Sequence, residues 1–214
     1  ALIEFVLLRP LRGSSIDTTM LVMIGAWIAL QNLEQFTWSG IAKSVDHPFP
    51  IEPLVLGSVS VSWLRIFVFL FALTLIGGTY FLINRTKLGK AMRATFQDQD
   101  TAALMGVNIN RIYTATFALG SSLAAAAGAL LGPVFIVTPY MGDMAALKAF
   151  AIVILGGLGN IIGATIGGFV LALVEELGAG YISSGYRDAM GFLLIIIVLV
   201  YKPTGLFAVK EGIG

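Results

Sequence analysis

The chain has 214 residues, of which 57% are hydrophobic, with 13 basic and 12 acidic side chains. A soluble domain carries about a quarter of its residues as charged groups, and this chain carries 12%. These values exclude an ordinary soluble globule and predict a multi-span membrane protein. The net charge of +1 gives no reason to expect a nucleic-acid partner. Without cysteine, disulfides, thiolate metal sites and thiol catalysis are excluded as well.

The first residues, ALIEFVLLRPLRGSS, contain too few apolar residues before Arg9 to cross a membrane. They also lack the layout of a signal peptide. We interpret them as the end of a helix that begins upstream, and we expect the chain to be a fragment that lacks N-terminal helices.

Uncharged runs predict the remaining spans, because about 20 helical residues cross the hydrocarbon layer. The run at 149–174 is too long for one straight span, and its centre, LGGLGNIIGATIGG, contains six glycines and an asparagine. This composition predicts a break, whose backbone must be buried in protein or line a cavity. The predicted spans, in chain order, are 16–33, 63–84, 111–138, 145–158, 161–180 and 187–201.

The distribution of basic residues predicts the orientation of these spans. The positive-inside rule assigns three basic regions to the cytoplasm, and the loops 34–62 and 175–186, which lack a basic excess, to the outside. Successive spans cross the membrane in alternating directions. This alternation places the C-terminus in the cytoplasm when the Gly-rich run is counted as two segments. The basic residues that define the cytoplasmic side are Arg9, Arg12, Arg85, Lys87, Lys90, Arg93, Arg111, Lys202 and Lys210.

Glycines four residues apart predict places where helix backbones approach each other closely. We interpret them as contacts within one helix bundle, and the alternative of a wall of the translocation path stays open. The residues assigned to helix packing or to the path are Gly128, Gly156, Gly157, Gly159, Asn160, Gly163 and Gly167, and Gly132 pairs with Gly128.

The sequence lacks the patterns that would predict an enzyme, a metal site or a bound cofactor. It has no HExxH, no Cys/His cluster and no GxxxxGK[ST] phosphate loop, so any ATP that drives the protein is bound by another chain. We interpret the single histidine, His47, as an ordinary residue of an external loop. The charges Asp17, Asp143, Lys148, Arg187 and Asp188 are predicted near span ends, which argues against a proton- or sodium-coupled transporter.

One polar stretch, GKAMRATFQDQDTAALMGVN at 89–108, interrupts this apolar chain between two predicted spans. We expect Gly89 to start a turn, Asp100 to cap a second short helix and Gly106 to end it. The predicted shape is one or two short helices lying across the cytoplasmic face of the membrane. A groove in another protein is the favoured partner, and a helix resting on lipid headgroups is the alternative.

Several stretches together resemble one family. The chain is similar, over essentially its whole length, to the inner-membrane permease of branched-chain amino acid ABC importers (the LivH type). The matching stretches are RPLRG (9–13), IALQN (28–32), LGKAMRAT (88–95), AALMGVN (102–108), FALGSSLAAAAGALLGP (117–133), LKAFAIVILGGLGNIIGATIGG (147–168) and GYRDAMGFLLIIIVLVYKPTGLFA (185–208).

The resemblance implies an all-α polytopic helix bundle with broken Gly-rich segments, forming a single permease domain over residues 1–214 in the bacterial or archaeal plasma membrane. It also implies four protein partners, namely a second homologous permease, two ATP-binding cytoplasmic ABC ATPases and an extracytoplasmic solute-binding protein. Residues 85–110, here called the connector segment, would dock into an ATPase cleft. The residues assigned to that coupling are Gly89, Arg93, Ala94, Asp98, Ala102, Ala103 and Gly106.

The connector segment departs from the broader ABC-permease pattern. Thr101 stands where that pattern has glutamate, Gly106 follows Ala103 after only two residues, and no proline follows. The predicted function is import of leucine, isoleucine or valine. The alternatives are import of urea or short amides, a self-powered secondary transporter or channel, and a membrane scaffold without transport.

Overall fold

The computed structural model describes residues 3–11, 14–46, 50, 53–56, 59–157, 159–202 and 205–207. Helices dominate these residues, and the predicted all-α class is confirmed. The helices are α1 (Ile16–Trp38), α2 (Trp63–Arg85), α3 (Lys87–Gln97), α4 (Gln99–Leu104), α5 (Ile109–Leu131), α6 (Met141–Gly156), α7 (Ile161–Tyr181) and α8 (Arg187–Tyr201). A π-helical turn at Glu4–Leu8, a 3-10 turn at Ser184–Tyr186 and the strands β1 (Leu54–Leu56) and β2 (Val59–Val61) complete the regular structure.

Four helical segments among the described residues are long and apolar enough to cross a membrane. They are Trp63–Arg85, Ile109–Leu131, Ile161–Tyr181 and Ser184–Tyr201. Large apolar side chains such as Phe81 and Leu173 lie exposed along them, as expected for helices whose outer faces meet lipid or another membrane protein rather than water. The chain is therefore a multi-pass membrane protein.

The chain divides into two compact units, Ala1–Pro139 and Tyr140–Gly214, which are described separately. In the first unit, α2 and α5 are linked through α3 and α4. After α1, β1 pairs with β2 in an antiparallel hairpin. Lys43 and Val137 exchange two backbone hydrogen bonds of 3.0 and 2.8 Å, which ties the segment after α1 to the segment after α5. His47, assigned to a loop, lies outside the described residues.

Two predicted span boundaries were wrong. The helix α1 continues to Trp38, into the predicted outer loop. The span predicted to reach 138 ends at Leu131, because Pro133 has no amide hydrogen to continue the helical ladder. The helix α7 ends at Tyr181, which confirms the predicted span 161–180. Glu175 had been assigned both to this span and to the outer loop 175–186, and the structure places it in the helix.

In the second unit, the predicted break in the Gly-rich run is confirmed. The helix α6 ends at Gly156 and α7 begins at Ile161. Between them, Gly157 and Gly159 have φ angles of 96° and 82°, which side chains with a Cβ rarely adopt. With 16 residues, α6 is about 24 Å long, shorter than the roughly 30 Å of hydrocarbon. It is thus the short segment that the glycines predicted.

The helices α6 and α7 approach each other closely at three glycines. A Cβ on Gly163 would collide with the carbonyl oxygen of Gly156, and one on Gly167 would lie 3.1 Å from the Gly156 nitrogen. Next to this contact, Leu155 has no exposed surface. Such close backbone approach provides van der Waals packing between membrane helices, where the hydrophobic effect does not act.

The C-terminal tail, residues 205–207, covers the end of α6. The amides of Leu206 and Phe207 donate to the carbonyl oxygens of Leu155 and Gly156 at 2.8 and 3.2 Å. The Asn160 side chain, which caps α7, also donates to the Phe207 carbonyl at 2.8 Å. Carbonyl groups at a helix end need such partners, so the tail completes the break between α6 and α7.

Candidate functional site

The connector segment begins with a single-residue joint between α2 and α3. Thr86 is both the residue that ends α2 and the one that caps α3. Its hydroxyl donates to the Leu82 carbonyl at 2.6 Å and accepts from the Gly89 amide at 3.1 Å. This joint consists of one residue, and its two hydrogen bonds hold the start of α3 against the end of α2.

Gly89 lies inside α3 and is buried, so the predicted turn at this residue was wrong. Thr86 makes the turn instead, because its extended backbone and its hydroxyl start the helix. A Cβ at Gly89 would overlap the backbone of Ile83, so only glycine permits this crossing. Arg93, one turn further along α3, donates to the same Ile83 carbonyl and fastens α3 to the end of α2.

Asp98, rather than the predicted Asp100, caps α4. Its carboxylate accepts hydrogen bonds from the amides of Asp100 and Thr101 at 3.0 and 3.1 Å. The hydrogen bond from the Thr101 hydroxyl, followed by those from the backbone, holds the pKa of the Asp98 carboxyl below its ordinary value of 3.8. The prediction failed because Asp98 has an extended backbone that ends α3, so the cap and the break fall on one residue.

The far end of the connector segment is tied to α5. Tyr113 donates from its hydroxyl to the Gln99 side chain at 3.2 Å, and Asn108 caps α5 by accepting the Arg111 amide at 3.1 Å. Ala102 is buried, with 5% of its surface exposed, while the neighbouring Ala103 is exposed. The helix α4 ends before Gly106, as predicted, and Gly106 has a φ of 86°, in the left-handed region.

The connector segment leaves three large apolar side chains uncovered within this chain. Phe96, Leu104 and Met105 are 87%, 88% and 82% exposed. Arg93, Ala94, Asp98 and Ala103 also lie at the surface. Of the seven residues assigned to coupling, Gly89 and Ala102 are buried and would support the surface rather than contact a partner.

A second candidate site, here called the Lys148 pocket, lies among α6, α7 and α8. The Lys148 ammonium is 2.7 Å from Glu175 Oε2 and 3.0 Å from Asp188 Oδ1. Charged groups within apolar helices persist only when paired. Glu175 is nearly buried, whereas about half of the Asp188 side chain and over a third of Lys148 are exposed.

The pocket beside these charges has a volume of about 100 Å³ and an apolar lining. Gly191 in its wall allows Glu175 to pack against α8, because a Cβ there would lie 2.6 Å from Glu175 Oε1. The apolar lining residues are Met144, Leu147, Ala151, Leu171, Phe192 and Ile195.

Sequence reasoning missed this cluster. It placed Lys148 and Asp188 at span ends and Glu175 where a predicted span and a predicted outer loop overlap, whereas Lys148 is mid-way along α6 and Glu175 is inside α7. The available signal was the isolated charge in each long apolar stretch, which seldom occurs without a partner. Among the described residues, no group of three or more His, Cys, Asp or Glu side chains is placed to hold a metal ion.

The remaining predicted residues have different environments. Gly156, Asn160, Gly163 and Gly167 meet at the contact and cap described above. Gly157 and Gly159 lie in the break itself. A Cβ on Gly128 would meet no atom of the described residues within 4 Å, so this glycine makes no close contact inside the first unit.

Apolar membrane-spanning helices, a structured polar connector and a broken Gly-rich segment define this chain as a polytopic membrane protein. The family model described as branched-chain amino acid transport system / permease component matches residues 1–199. The chain belongs to this family of transporter permease subunits and is therefore one component of a transport system.

Three relatives illustrate the similarity. The high-affinity branched-chain amino acid transport system permease protein LivH of Escherichia coli K12 is 35% identical over 220 residues, covering 98% of this chain and 70% of the relative. The permease protein BraD of Pseudomonas aeruginosa is 35% identical over 214 residues, with the same coverage. The probable LivH of Methanocaldococcus jannaschii is 30% identical over 227 residues, covering 97% and 70%. No solved structure matches the chain.

Proposed function

We propose that this chain is the membrane-spanning subunit of an ATP-driven importer that translocates leucine, isoleucine and valine across the plasma membrane. The family match over residues 1–199 carries this proposal, together with the substrate named in its relatives. The chain acts beside a second, homologous permease and receives its substrate from an extracytoplasmic binding protein. It binds no cofactor itself.

The connector segment is the surface through which ATP hydrolysis reaches the membrane helices. It lies on the cytoplasmic side with the C-terminus and docks into an ABC ATPase. The exposed Phe96, Leu104 and Met105 support this role, because a groove in a partner protein can bury such apolar side chains. Arg93 and Asp98 are exposed in the same segment and provide polar contacts.

The connector segment is attached to both α2 and α5, and these two attachments couple the ATPases to the membrane helices. ATP binding draws two ATPases together and moves the docked segments with them. Thr86 and Arg93 transmit that movement to α2, and the Tyr113–Gln99 hydrogen bond transmits it to α5. The helices tilt as rigid levers, and the break between α6 and α7 permits repacking between inward-open and outward-open states.

Crosslinking tests the docking surface directly, because the chain contains no cysteine. A single cysteine replaces Ala103 in the complete protein, and native membranes are treated with a short thiol-to-amine crosslinker. Ala102→Cys is the matched control, since its side chain is buried while that of Ala103 is exposed. We expect an ABC ATPase in the Ala103→Cys adduct and little or none with Ala102→Cys.

Recovery of lipid alone from a folded Ala103→Cys protein would contradict the docking role. Transport is tested with radiolabelled leucine in vesicles that contain the complete transporter and its binding protein. ATP-dependent uptake of leucine supports the proposal. If urea or a short amide is taken up and leucine is not, that compound is the substrate instead of leucine. Uptake without the ATPases would indicate a self-powered transporter.

Arg93 and Gly106 variants separate coupling from assembly. Arg93→Met removes the hydrogen bond to Ile83, and Gly106→Val strains the positive φ that ends α4 by about 1–2 kcal/mol. Both variants are expected to assemble with the ATPases while leucine uptake per assembled complex falls. Full uptake in both variants would show that coupling does not pass through this joint.

A further inference from the structure

The geometry of the Lys148 pocket points to a binding site, within the permease itself, for the zwitterionic head group and apolar side chain of a branched-chain amino acid. This inference rests on the proposed function and adds the residues that would contact the substrate inside the membrane subunit. It is carried by the charges that meet at Lys148 and by the apolar pocket beside them.

The charges of the pocket complement an amino acid. Lys148 provides one positive group, and Glu175 and Asp188 provide two negative groups within 2.7 and 3.0 Å of it. An amino acid brings one carboxylate and one ammonium. The carboxylate fits beside Lys148, whose ammonium has three donors and can hold Glu175 while accepting a new partner.

Differences in exposure assign different roles to the two acids. Glu175 is nearly buried and packs against Gly191, so it holds Lys148 in position. The Asp188 side chain is 52% exposed and can release Lys148. When it does, the substrate carboxylate takes its place on Lys148 and the freed Asp188 binds the substrate ammonium. The ion pair between Lys148 and Asp188 is thus exchanged for two ion pairs with the substrate, and no charge is left unpaired.

The apolar lining suits the substrate side chain. The pocket volume of about 100 Å³ is several times the roughly 10–15 Å³ that one water needs. An apolar cavity of about 150 Å³ in another protein accepts benzene, so this smaller pocket fits a branched side chain of three or four carbons. Leu147, Ala151 and Ile195 line it beside the charges, so both parts of one small molecule meet their complement.

The location is consistent with the transport route. Lys148 is about 10 Å along α6 from its start, Glu175 is near the end of α7, and Asp188 is in the first turn of α8. The predicted orientation places these helix ends on the outer side of the membrane. A substrate delivered from an extracytoplasmic binding protein would therefore reach this pocket early in its passage.

A purely structural role is the competing explanation, since three paired charges can also pin three helices together. The same end of α7 and α8 offers a matched control for that role. Arg187 and Glu176 form an ion pair of 2.9 Å and do not line the pocket. An ion pair that only stabilises the fold would change labelling through the amount of folded protein, and it would not make labelling depend on the charges and side chain of a competing compound.

Photolabelling distinguishes the two roles. The probe is a leucine analogue with a diazirine in its side chain, added to vesicles that contain both permeases and both ATPases but no binding protein. Labelled peptides are identified by mass spectrometry. We expect labels within 144–151 and 188–195, and we expect leucine to compete with them.

Competition tests the charge and the apolar parts separately. 4-Methylpentanoate lacks the ammonium and isoamylamine lacks the carboxylate, so each should compete about tenfold less well than leucine, or worse. Alanine, which lacks the branched carbons, should also compete at least about tenfold less well. Equal competition by all four compounds would overturn the proposal.

Two variants complete the test without leaving a buried charge unpaired. Asp188→Asn should reduce labelling about tenfold, and Leu147→Trp should block the pocket without changing a charge. Glu176→Gln should label as the wild type does. Labels elsewhere, no effect of Asp188→Asn, or an equal loss in Glu176→Gln would each overturn the site. Leucine uptake by the wild type, measured in the same preparation after the binding protein is added, tests the proposed function separately from the site. Absence of uptake would overturn the proposed function. Uptake without labelling of the pocket would overturn only the site.

Discussion

The connector segment and the Lys148 pocket both hold polar groups in an apolar chain, but they do so over different distances along the sequence. In the connector segment, Asp98 binds Thr101 and Thr86 binds Gly89, three residues away. In the pocket, Lys148 binds Glu175, 27 residues away. The connector segment can therefore take its shape locally, whereas the pocket exists only when three helices have packed. Substitutions should reflect this difference.

The largest effect is expected at Lys148. Lys148→Met leaves Glu175 nearly buried without its cation, and removal of one member of such a pair costs about 3 kcal/mol or more of folding free energy. The measurement is the thermal stability of the detergent-solubilised protein. The double variant Lys148→Met/Glu175→Met should recover much of the loss, because no buried charge is left unpaired, and Asp188, which also loses Lys148, is 52% exposed to solvent.

The exposed pair provides the control for this prediction. Arg187 and Glu176 have side chains that are 45% and 66% exposed, and such pairs contribute about 0–1 kcal/mol. Glu176→Gln should therefore leave the melting temperature almost unchanged. If Lys148→Met lowered the melting temperature as little as Glu176→Gln does, the claim that the pocket differs from the exposed pair by its burial would be wrong.

A smaller but clear loss of folding stability is expected from substitutions at the contact between α6 and α7. Gly163→Val forces a side chain against the Gly156 carbonyl, and overpacking of this kind costs about 1–3 kcal/mol. Gly128→Val is the matched variant, because the space around Gly128 is open. Thermal unfolding of both proteins measures the difference, and equal stabilities would refute the close approach of α6 and α7.

In the connector segment, Gly89→Ala should impair function more than stability. The added methyl group overlaps the Ile83 backbone and shifts α3 relative to α2, while the local caps still form. Leucine uptake per assembled transporter should fall severalfold. Gly120→Ala in α5, where a Cβ meets no atom within 4 Å, should keep its uptake. Normal uptake by Gly89→Ala would show that this joint does not transmit force.

The smallest effect is expected at the cap of α4. Asp98→Ala should increase hydrogen exchange at the Thr101 amide, and Asp100→Ala should not, because only Asp98 accepts that amide. The lowered pKa fixes the sign of the pH dependence. The ionised cap stabilises α4 above the ordinary value of 3.8 and loses this effect as the pH falls through the lower, folded-state pKa. Loss of protection at neutral pH in the wild type would contradict the assignment.

The local features could be predicted from the sequence because their causes are local. Glycines at 157 and 159 indicated the break between α6 and α7, and Gly106 indicated the end of α4. The choice of Asp100 over Asp98 as cap was wrong because both residues suit the role chemically. Only the extended backbone at Asp98 decides between them.

The pocket could not be predicted in the same way. Lys148 and Glu175 are brought together by the packing of α6 on α7, and this packing depends on Gly156, Gly163 and Gly167. The uncharged run ends at 174, so Glu175 was also counted with the outer loop 175–186, although it lies within α7. The burial of Gly89 against Ile83 could not be predicted for a similar reason, since the sequence alone does not show which part of the backbone packs against a glycine.

The C-terminal tail has a consequence for the order in which the second unit is completed during synthesis. Asn160 and its partner Phe207 are separated by 47 residues, and the Leu155 and Gly156 carbonyls also bind tail amides. The ribosome makes α6 and α7 long before it makes the tail. Until α8 has entered the membrane and the tail has emerged, these acceptors lack those partners. The second unit is therefore closed by residues 205–207, and a deletion of these residues would act on a break that was translated much earlier.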